Sequence, residues 1–453
     1  MGFELDDTDL TRTTADELPS GQDLQSLGIF WLTPEERFHE LAAGAVLGRA
    51  ESCALRLDGP SVSRQHARLE RDGPLWLLRD LGSKNGSFVN TLQRELGTIA
   101  AGDTLRLGDW VGVVCWMPKV AVASRMWFRE LVPGMLLSAP TWARFETLPA
   151  LAASGVPILL LGETGTGKER LARAIHDLSG RSGELVAINC SAIPEALAEA
   201  ELFGHRKGAF TGASESSAGR IAAAHGGSLL LDEIVDLPPS IQSKLLRVLE
   251  ERAVTPVGSS QLVPVDFRLL AASQVRLDGL IQTGEFRGDL YARLNGAELE
   301  LPPLRQRRQE VLRLLGDAMR PMLGAAPVFD GPCAERLCAY SWPYNVRELV
   351  QLAGLLCVAR KQNFGVADLP QRIREAGPPP LTAPASEQVG GDGSRRKRWL
   401  SRHAAEFGKL EQALRECSGN VTEAARLTGI PRHRARRLLE AAGAGASGGE
   451  RSS

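Results

Sequence analysis

The chain has 453 residues, 43% hydrophobic and 24% charged, with a formal net charge of −1, an ordinary composition for a soluble globular protein of two to four domains. No apolar run approaches the roughly 18 residues needed to span a bilayer, and no basic-then-apolar secretion signal opens the chain, so a cytoplasmic location is expected. Seven cysteines (53, 115, 190, 333, 338, 357 and 417) form no CxxC pair and no metal spacing, and read as buried thiols of a reducing compartment.

The near-zero net charge hides an uneven spread. Residues 1–18 hold six acids against Arg12, about −5, whereas residues 395–440 hold twelve Lys/Arg against five acids, about +7. An acidic head and a basic tail point to a tail that meets nucleic acid. The head, residues 1–27, is polar and expected to be flexible, with Thr8, Thr11, Thr13 and Thr14 clustered in it.

Residues 28–117 show short alternating runs broken by glycine turns, such as Leu75–Leu78 and Thr104–Leu107, the spacing of an all-β domain. Three turns stand out: Gly48-Arg49, Ser61-Val62-Ser63-Arg64-Gln65-His66, and Asp80 through Asn90 with Gly82-Ser83-Lys84-Asn85-Gly86 at its centre. Together they resemble a forkhead-associated (FHA) domain, a β-sandwich that binds phosphothreonine. A dianionic phosphate calls for a guanidinium, a hydroxyl and further donors on fixed loops. The resemblance puts Arg49 and Ser63 on the phosphate, and Arg64, Lys84 and Asn85 on the phosphate or the peptide backbone. It makes His66 a brace within the fold. A phosphothreonine protein, or the chain's own N-terminus phosphorylated by a Ser/Thr kinase, would be the ligand.

Residues 133–376 alternate strand and helix patterns, an α/β reading. The apolar run Val156–Leu161 leads into Gly162-Glu163-Thr164-Gly165-Thr166-Gly167-Lys168-Glu169, followed by apolar residues at helical spacing (Leu171, Ala174, Ile175, Leu178). Strand, glycine loop and helix form the setting of a phosphate-binding loop: backbone N–H groups and the helix N-terminus cradle phosphates, and Lys168 reaches the outer ones. A second apolar run, Gly226–Leu231, ends in Asp232-Glu233. There Asp232 would orient magnesium and Glu233 would polarise the attacking water. Between the two lies Gly208-Ala209-Phe210-Thr211-Gly212-Ala213.

With Glu201–His205, Phe286–Tyr291, Leu301-Pro302-Pro303-Leu304-Arg305 and Trp342–Leu349, these motifs resemble the AAA+ ATPase of bacterial sigma-54-dependent activators. The resemblance implies ATP and Mg2+ as cofactors, an α/β subdomain at 133–300 and a helical lid at 301–376. It makes Arg287 and Arg293 arginines that reach the neighbouring subunit's ATP, Arg347 the lid's sensor arginine, and Asn189 the switch residue holding Glu233. It makes Phe210 and Thr211 the loop tip that grips the sigma factor. Glu169, where the general loop pattern has a metal-holding hydroxyl, is usual in this family and is placed with Asp232 at the metal. A homo-oligomeric ring, a hexamer, and sigma-54 RNA polymerase as partner follow. Departures are Arg206 for a usual Glu, Ser273-Gln274 for Thr and Asn or His, Gly288 for an acid, and Tyr344 for a glycine.

Residues 377–394 read as a linker by composition. Residues 395–442 read as helices. Val421–Leu427 is a short helix ended by Gly429, and Pro431 opens a second that carries Arg432, His433, Arg434, Arg436 and Arg437. A basic second helix after a turn is the geometry that enters a major groove, and the segment resembles the Fis-type helix-turn-helix of the same activators. The whole implies three fold types in one chain: an all-β sandwich, an α/β P-loop ATPase with a lid, and an all-α DNA-binding tail. The implied function is an ATP-driven activator of sigma-54 RNA polymerase, tethered to upstream DNA. A non-catalytic DNA-bound phosphopeptide scaffold or repressor is the alternative, and intact Lys168, Asp232 and Glu233 weigh against it.

Overall fold

The computed structural model describes residues 24–209, 215–376, 413 and 427–428. Phe210, Thr211, Gly212 and Ala213 lie outside them, as do Arg432, His433, Arg434, Arg436 and Arg437 of the basic tail and the four threonines of the acidic head.

Residues 25–118 form a sandwich of two sheets. One orders Arg37–Glu40, Gln25–Thr33, Trp110–Pro118, Thr104–Leu107, Ser87–Val89 and Leu92–Gln93; the other orders Leu55–Arg56, Val46–Gly48, Ala67–Asp72, Leu75–Asp80 and Leu96–Ile99. Alternation decides which side chains turn inward: Ile29, Trp31, Leu47, Leu69, Leu78, Leu105 and Val114 fill one core, with Trp31 edge-to-face on Trp110 at 5.7 Å. Pairing runs from Gln25 against Pro118, so the sandwich starts three residues before and ends one residue after the expected 28–117.

Trp110–Pro118 continues into the helix Lys119–Ser124 and the hairpin Phe128–Val132/Met135–Ser138. Residue 133, the expected boundary, is the turn of this hairpin. Leu131, Met135 and Leu137 pack with Ile158, Leu160, Leu171 and Ile175, which anchors the hairpin on the ATPase core.

That core is a five-stranded parallel sheet in the order Leu185–Asn189, Ser228–Asp232, Arg268–Ser273, Ile158–Leu161, Ala297–Glu300. The central strands are apolar between their ends, at Leu229–Leu231, Leu269–Ala272 and Ile158–Leu161, because helices cover both faces. Strand order reverses beside Ile158–Leu161, so the phosphate loop leaves the sheet at the point where open α/β folds bind ligands. The lid, built on the helices Val311–Leu323, Gly331–Ala339 and Asn345–Cys357, has its own core around Leu315, Leu337, Trp342, Leu349 and Leu352.

Five of the six described cysteines are buried and none is in a disulfide. Burial pushes the Cys115, Cys190 and Cys338 thiols up to about 12, which keeps them protonated and unreactive. No helix among the described residues is long and apolar enough to cross a membrane.

Candidate functional site

The phosphate loop takes its shape from glycine. Gly162, Gly165 and Gly167 sit at φ of 155°, 78° and 111°, outside the range open to most side chains. A Cβ on Gly165 would also lie 2.3 Å from the Tyr344 carbonyl oxygen of the lid. Gly167 precedes the helix Lys168–Leu178, whose N-terminal amides face the loop. Lys168 is buried and donates from Nζ to the carbonyls of Gly162 (2.8 Å) and Glu163 (3.3 Å). Burial lowers its pKa; the nearby Glu233 and Asp232 carboxylates oppose this, and Arg347 reinforces it. Glu233, Asp232 and Arg347, from a strand end and the lid, are therefore within electrostatic reach of Lys168. Glu169 is exposed in the first turn of the helix.

Asp232 ends its strand and accepts the Glu233 amide at 3.1 Å. Glu233 occupies the left-handed region at φ 53°, a strained conformation for a residue with a Cβ, costing roughly 1–3 kcal/mol. Its carboxylate is held by the Gln274 side-chain amide, Nε2 to Oε1. Asn189, expected to be that holder, pairs in register with Asp232, but its side-chain oxygen accepts from the Ser191 amide and hydroxyl. Gln274 had shown itself in the sequence only as a departure from family pattern. The carboxylates beside Lys168, Asp232 first, fit a magnesium ion, which takes one or two carboxylates and otherwise nucleotide phosphates.

A clamp between loop and lid was not foreseen. Arg305 grips Glu163 with two bonds of 2.8 and 2.6 Å, which holds the Glu163 carboxyl below its usual range. Asn345, buried at φ 51°, donates to Glu163 and to the Thr164 carbonyl, and accepts the Leu304 amide. Arg305 and Asn345 lay inside motifs already noted, yet only contact geometry reveals their role.

Arg287 and Arg293 are exposed, away from this pocket. Arg287 is paired two-to-two with Asp289 and donates to Ser243. Gly208 and Ala209 are the described part of the glycine segment between the two nucleotide motifs.

In the sandwich, Arg49, Arg56 and Arg64 line an open cleft of about 730 Å3 with Asp58 and Glu51. Arg56 was not anticipated. The Ser63 hydroxyl accepts the Lys84 amide at 3.0 Å, and the Asn85 side chain donates to the Ser61 carbonyl at 2.7 Å. Gly48 is required there, since a Cβ would lie 2.3 Å from the Arg64 carbonyl oxygen. His66, fully buried, accepts the Ser63 amide on Nδ1 and donates from Nε2 to the Gly86 carbonyl. It therefore braces the loop from within.

His66 and His39 are both held below the usual 6.5 by burial, His39 to about 4, and His39 accepts the Trp31 indole N–H. The folded sandwich thus binds fewer protons than the unfolded chain between those values. Its stability is full above pH 6.5 and falls as pH drops through 6.5 toward 4. Thermal unfolding followed at pH 7.5 and pH 5 should show a lower midpoint at pH 5 for the sandwich; an unmoved midpoint would contradict neutral histidines.

A phosphate loop, a strand-end Asp-Glu pair and a lid that touches the loop define an ATP-binding AAA+ module, here joined to a sandwich with a basic cleft. The sigma-54 interaction domain matches residues 138–300 and the FHA domain residues 45–108. The sigma54-dependent transcriptional regulator SfnR of Pseudomonas fluorescens is 43% identical over 308 residues, covering 64% of this chain and 83% of that protein. The C4-dicarboxylate transport transcriptional regulatory protein DctD of Rhizobium meliloti is 41% identical over 292 residues, covering 63% of this chain and 59% of that protein, so the chain spans little more than half of that relative's length. NtrX from Brucella abortus, solved in complex with ATP, is 28% identical and covers 72% of each chain with a TM-score of 0.49. The chain belongs to the sigma-54-dependent transcriptional regulators and carries an FHA domain.

Proposed function

We propose that the chain is a cytoplasmic ATPase that remodels sigma-54 RNA polymerase at promoters, held on upstream DNA by its basic tail and regulated through phosphothreonine recognition. The observation that carries this reading is a glycine-shaped phosphate loop with its buried Lys168 bonded to it and a strand-end pair in which Asp232 accepts the Glu233 amide and Gln274 holds the Glu233 carboxylate, in a chain that also bears the Gly208–Ala213 segment. A scaffold without catalysis would have no use for a glutamate strained and held beside the phosphate lysine.

ATP would bind on the loop amides and Lys168, and Asp232 would hold a magnesium ion, which would supply charge neutralisation at the phosphates. Glu233 positions and polarises the attacking water, and Gln274 fixes its carboxylate until the nucleotide draws it in. Arg347 reads the nucleotide from the lid. Arg287 and Arg293 act across a subunit interface in a hexameric ring. Phe210 and Thr211 carry the stroke to the sigma factor, and Arg432, His433, Arg434, Arg436 and Arg437 hold DNA.

The test is open-complex formation by sigma-54 polymerase with the full chain and ATP. Thr211→Ala should keep ATPase within about twofold and lose open complexes, because the loop tip contacts protein and not nucleotide. Open complexes formed by Thr211→Ala at the wild-type rate would remove the sigma contact from this loop. Absence of ATPase in the wild-type chain would favour the scaffold alternative.

A further inference from the structure

The sandwich does more than sit beside the ATPase: it rests on the lid through a close and largely buried contact. Glu335, in the lid helix Gly331–Ala339, accepts Arg106 Nε at 2.7 Å and the Thr91 amide at 2.9 Å, with the Arg106 and Glu335 side chains 11% and 4% exposed. Arg106 is fixed from its other side by the Phe88 ring, 3.6 Å from its guanidinium carbon. Arg308 of the lid, itself buried, donates to Asn90 at 3.1 Å. Val111 of the sandwich belongs to the lid's own apolar cluster. At the start of the lid helix the backbones nearly touch: a Cβ on Gly331 would lie 2.7 Å from the Gly108 carbonyl oxygen and 2.9 Å from Asp109 Cα.

Both ends of this contact lead to a working site. On the lid side, Arg307, next to Arg308, donates to the Thr166 carbonyl of the phosphate loop at 2.8 Å and pairs with Glu310. On the sandwich side, the Asp109 amide is held by the Ser61 hydroxyl at 3.0 Å, and the Ser61 carbonyl accepts Asn85 from the cleft. The sandwich is also continuous with the ATPase core through the strand Trp110–Pro118 and the hairpin packed on the sheet. It therefore holds both sides of the joint between core and lid.

We propose that the sandwich is a latch that restrains the lid and that ligand in the arginine cleft releases it. The proposal rests on the phosphothreonine reading given above. A phosphopeptide that recruits Asn85 and the Ser63 hydroxyl draws on two of the groups that now fix the 61–63 loop. The Ser61 hydroxyl then loses its grip on the Gly108–Asp109 turn, and that turn is what Gly331 meets. Freed from the Gly108–Asp109 turn and from Arg106 of the sandwich, the lid changes its angle to the phosphate loop during each ATP cycle, so turnover rises. A ligand acts this way only if it binds the undocked state more tightly.

The experiment uses the full chain and a peptide pool with fixed phosphothreonine and randomised flanks, with the unphosphorylated pool as control. Three quantities are read: peptide binding, amide hydrogen exchange over residues 331–339, and ATPase rate. The phosphorylated pool should bind wild type, speed exchange in 331–339 and raise ATPase about fivefold or more, the lower end of ordinary allosteric coupling. Arg49→Ala should lose both binding and response. Gly331→Ala adds a methyl that helix geometry accepts but the Gly108 backbone does not. It and Glu335→Gln should raise ATPase without peptide and leave little further stimulation. Binding that depends on Arg49 while exchange and ATPase stay unchanged would overturn the latch and leave the phosphothreonine reading standing. No binding by the phosphorylated pool would overturn that reading and ligand release with it. In that case Gly331→Ala and Glu335→Gln rates equal to wild type would also remove the restraint itself.

Discussion

Glu233→Ala should bind ATP close to wild type and lose turnover by about 10²–10⁴-fold, the usual worth of a positioned acid–base group. The Glu233 carboxylate acts on the phosphate lysine, opposing the effect of burial on it. Its backbone is held at φ 53°, strain that the surrounding fold maintains. Lys168→Ala should fail earlier, at binding, because it removes a buried cation of the phosphate loop, held now by the Gly162 and Glu163 carbonyls, that would meet the outer phosphates. Gln274→Leu separates holding from chemistry. It frees Glu233 Oε1 without touching the loop, so kcat should shift while ATP affinity stays. Equilibrium binding of a fluorescent ATP analogue beside steady-state phosphate release distinguishes the three. A Glu233→Ala chain that hydrolyses ATP at the wild-type rate would falsify the assignment of the base.

What the sequence disclosed and what it withheld divide along a physical line. Glycine spacing, strand-end acids and apolar runs report local backbone demands, and the phosphate loop, the Asp232-Glu233 pair and the sandwich turns were legible on that basis. The partner of a polar side chain is a matter of three-dimensional proximity. Asn189 ends one strand of the sheet and Gln274 directly follows another, and only the fold shows that Gln274 reaches Glu233 while Asn189 is taken by Ser191. Arg305, Arg307 and Arg308 follow one another closely in the chain yet serve three different places: Glu163, the Thr166 carbonyl and Asn90. Nothing in their spacing tells these apart, because they lie on and between two single-turn 3-10 helices, Leu304–Gln306 and Arg308–Glu310, too short to show a periodicity. Glu335 reads as one more polar residue of an amphipathic helix, and the contact it makes with Arg106 spans 229 positions.

Subunits carrying Arg287→Ala or Arg293→Ala should each lose about 10³–10⁵-fold in turnover, the range over which an arginine supplied across an interface stabilises phosphoryl transfer. The loss should be repaired in part by mixing. Both side chains are exposed, and the Arg287 side chain, 47% exposed, is held by Asp289 and Ser243. Asp289 grips the guanidinium by its Nε and Nη2 edge, so lysine should not substitute, lacking the two-to-two geometry. A ring that mixes Arg287→Ala with Glu233→Ala subunits contains interfaces where a sound arginine faces a sound glutamate. Such interfaces should recover activity that peaks near equal mixing. Asp289→Ala should weaken turnover less than Arg287→Ala, because it loosens the arginine without removing it. Mixed assemblies shown by mass photometry to form, yet inactive at every ratio, would place these arginines within their own subunit's structure rather than at a neighbour's nucleotide.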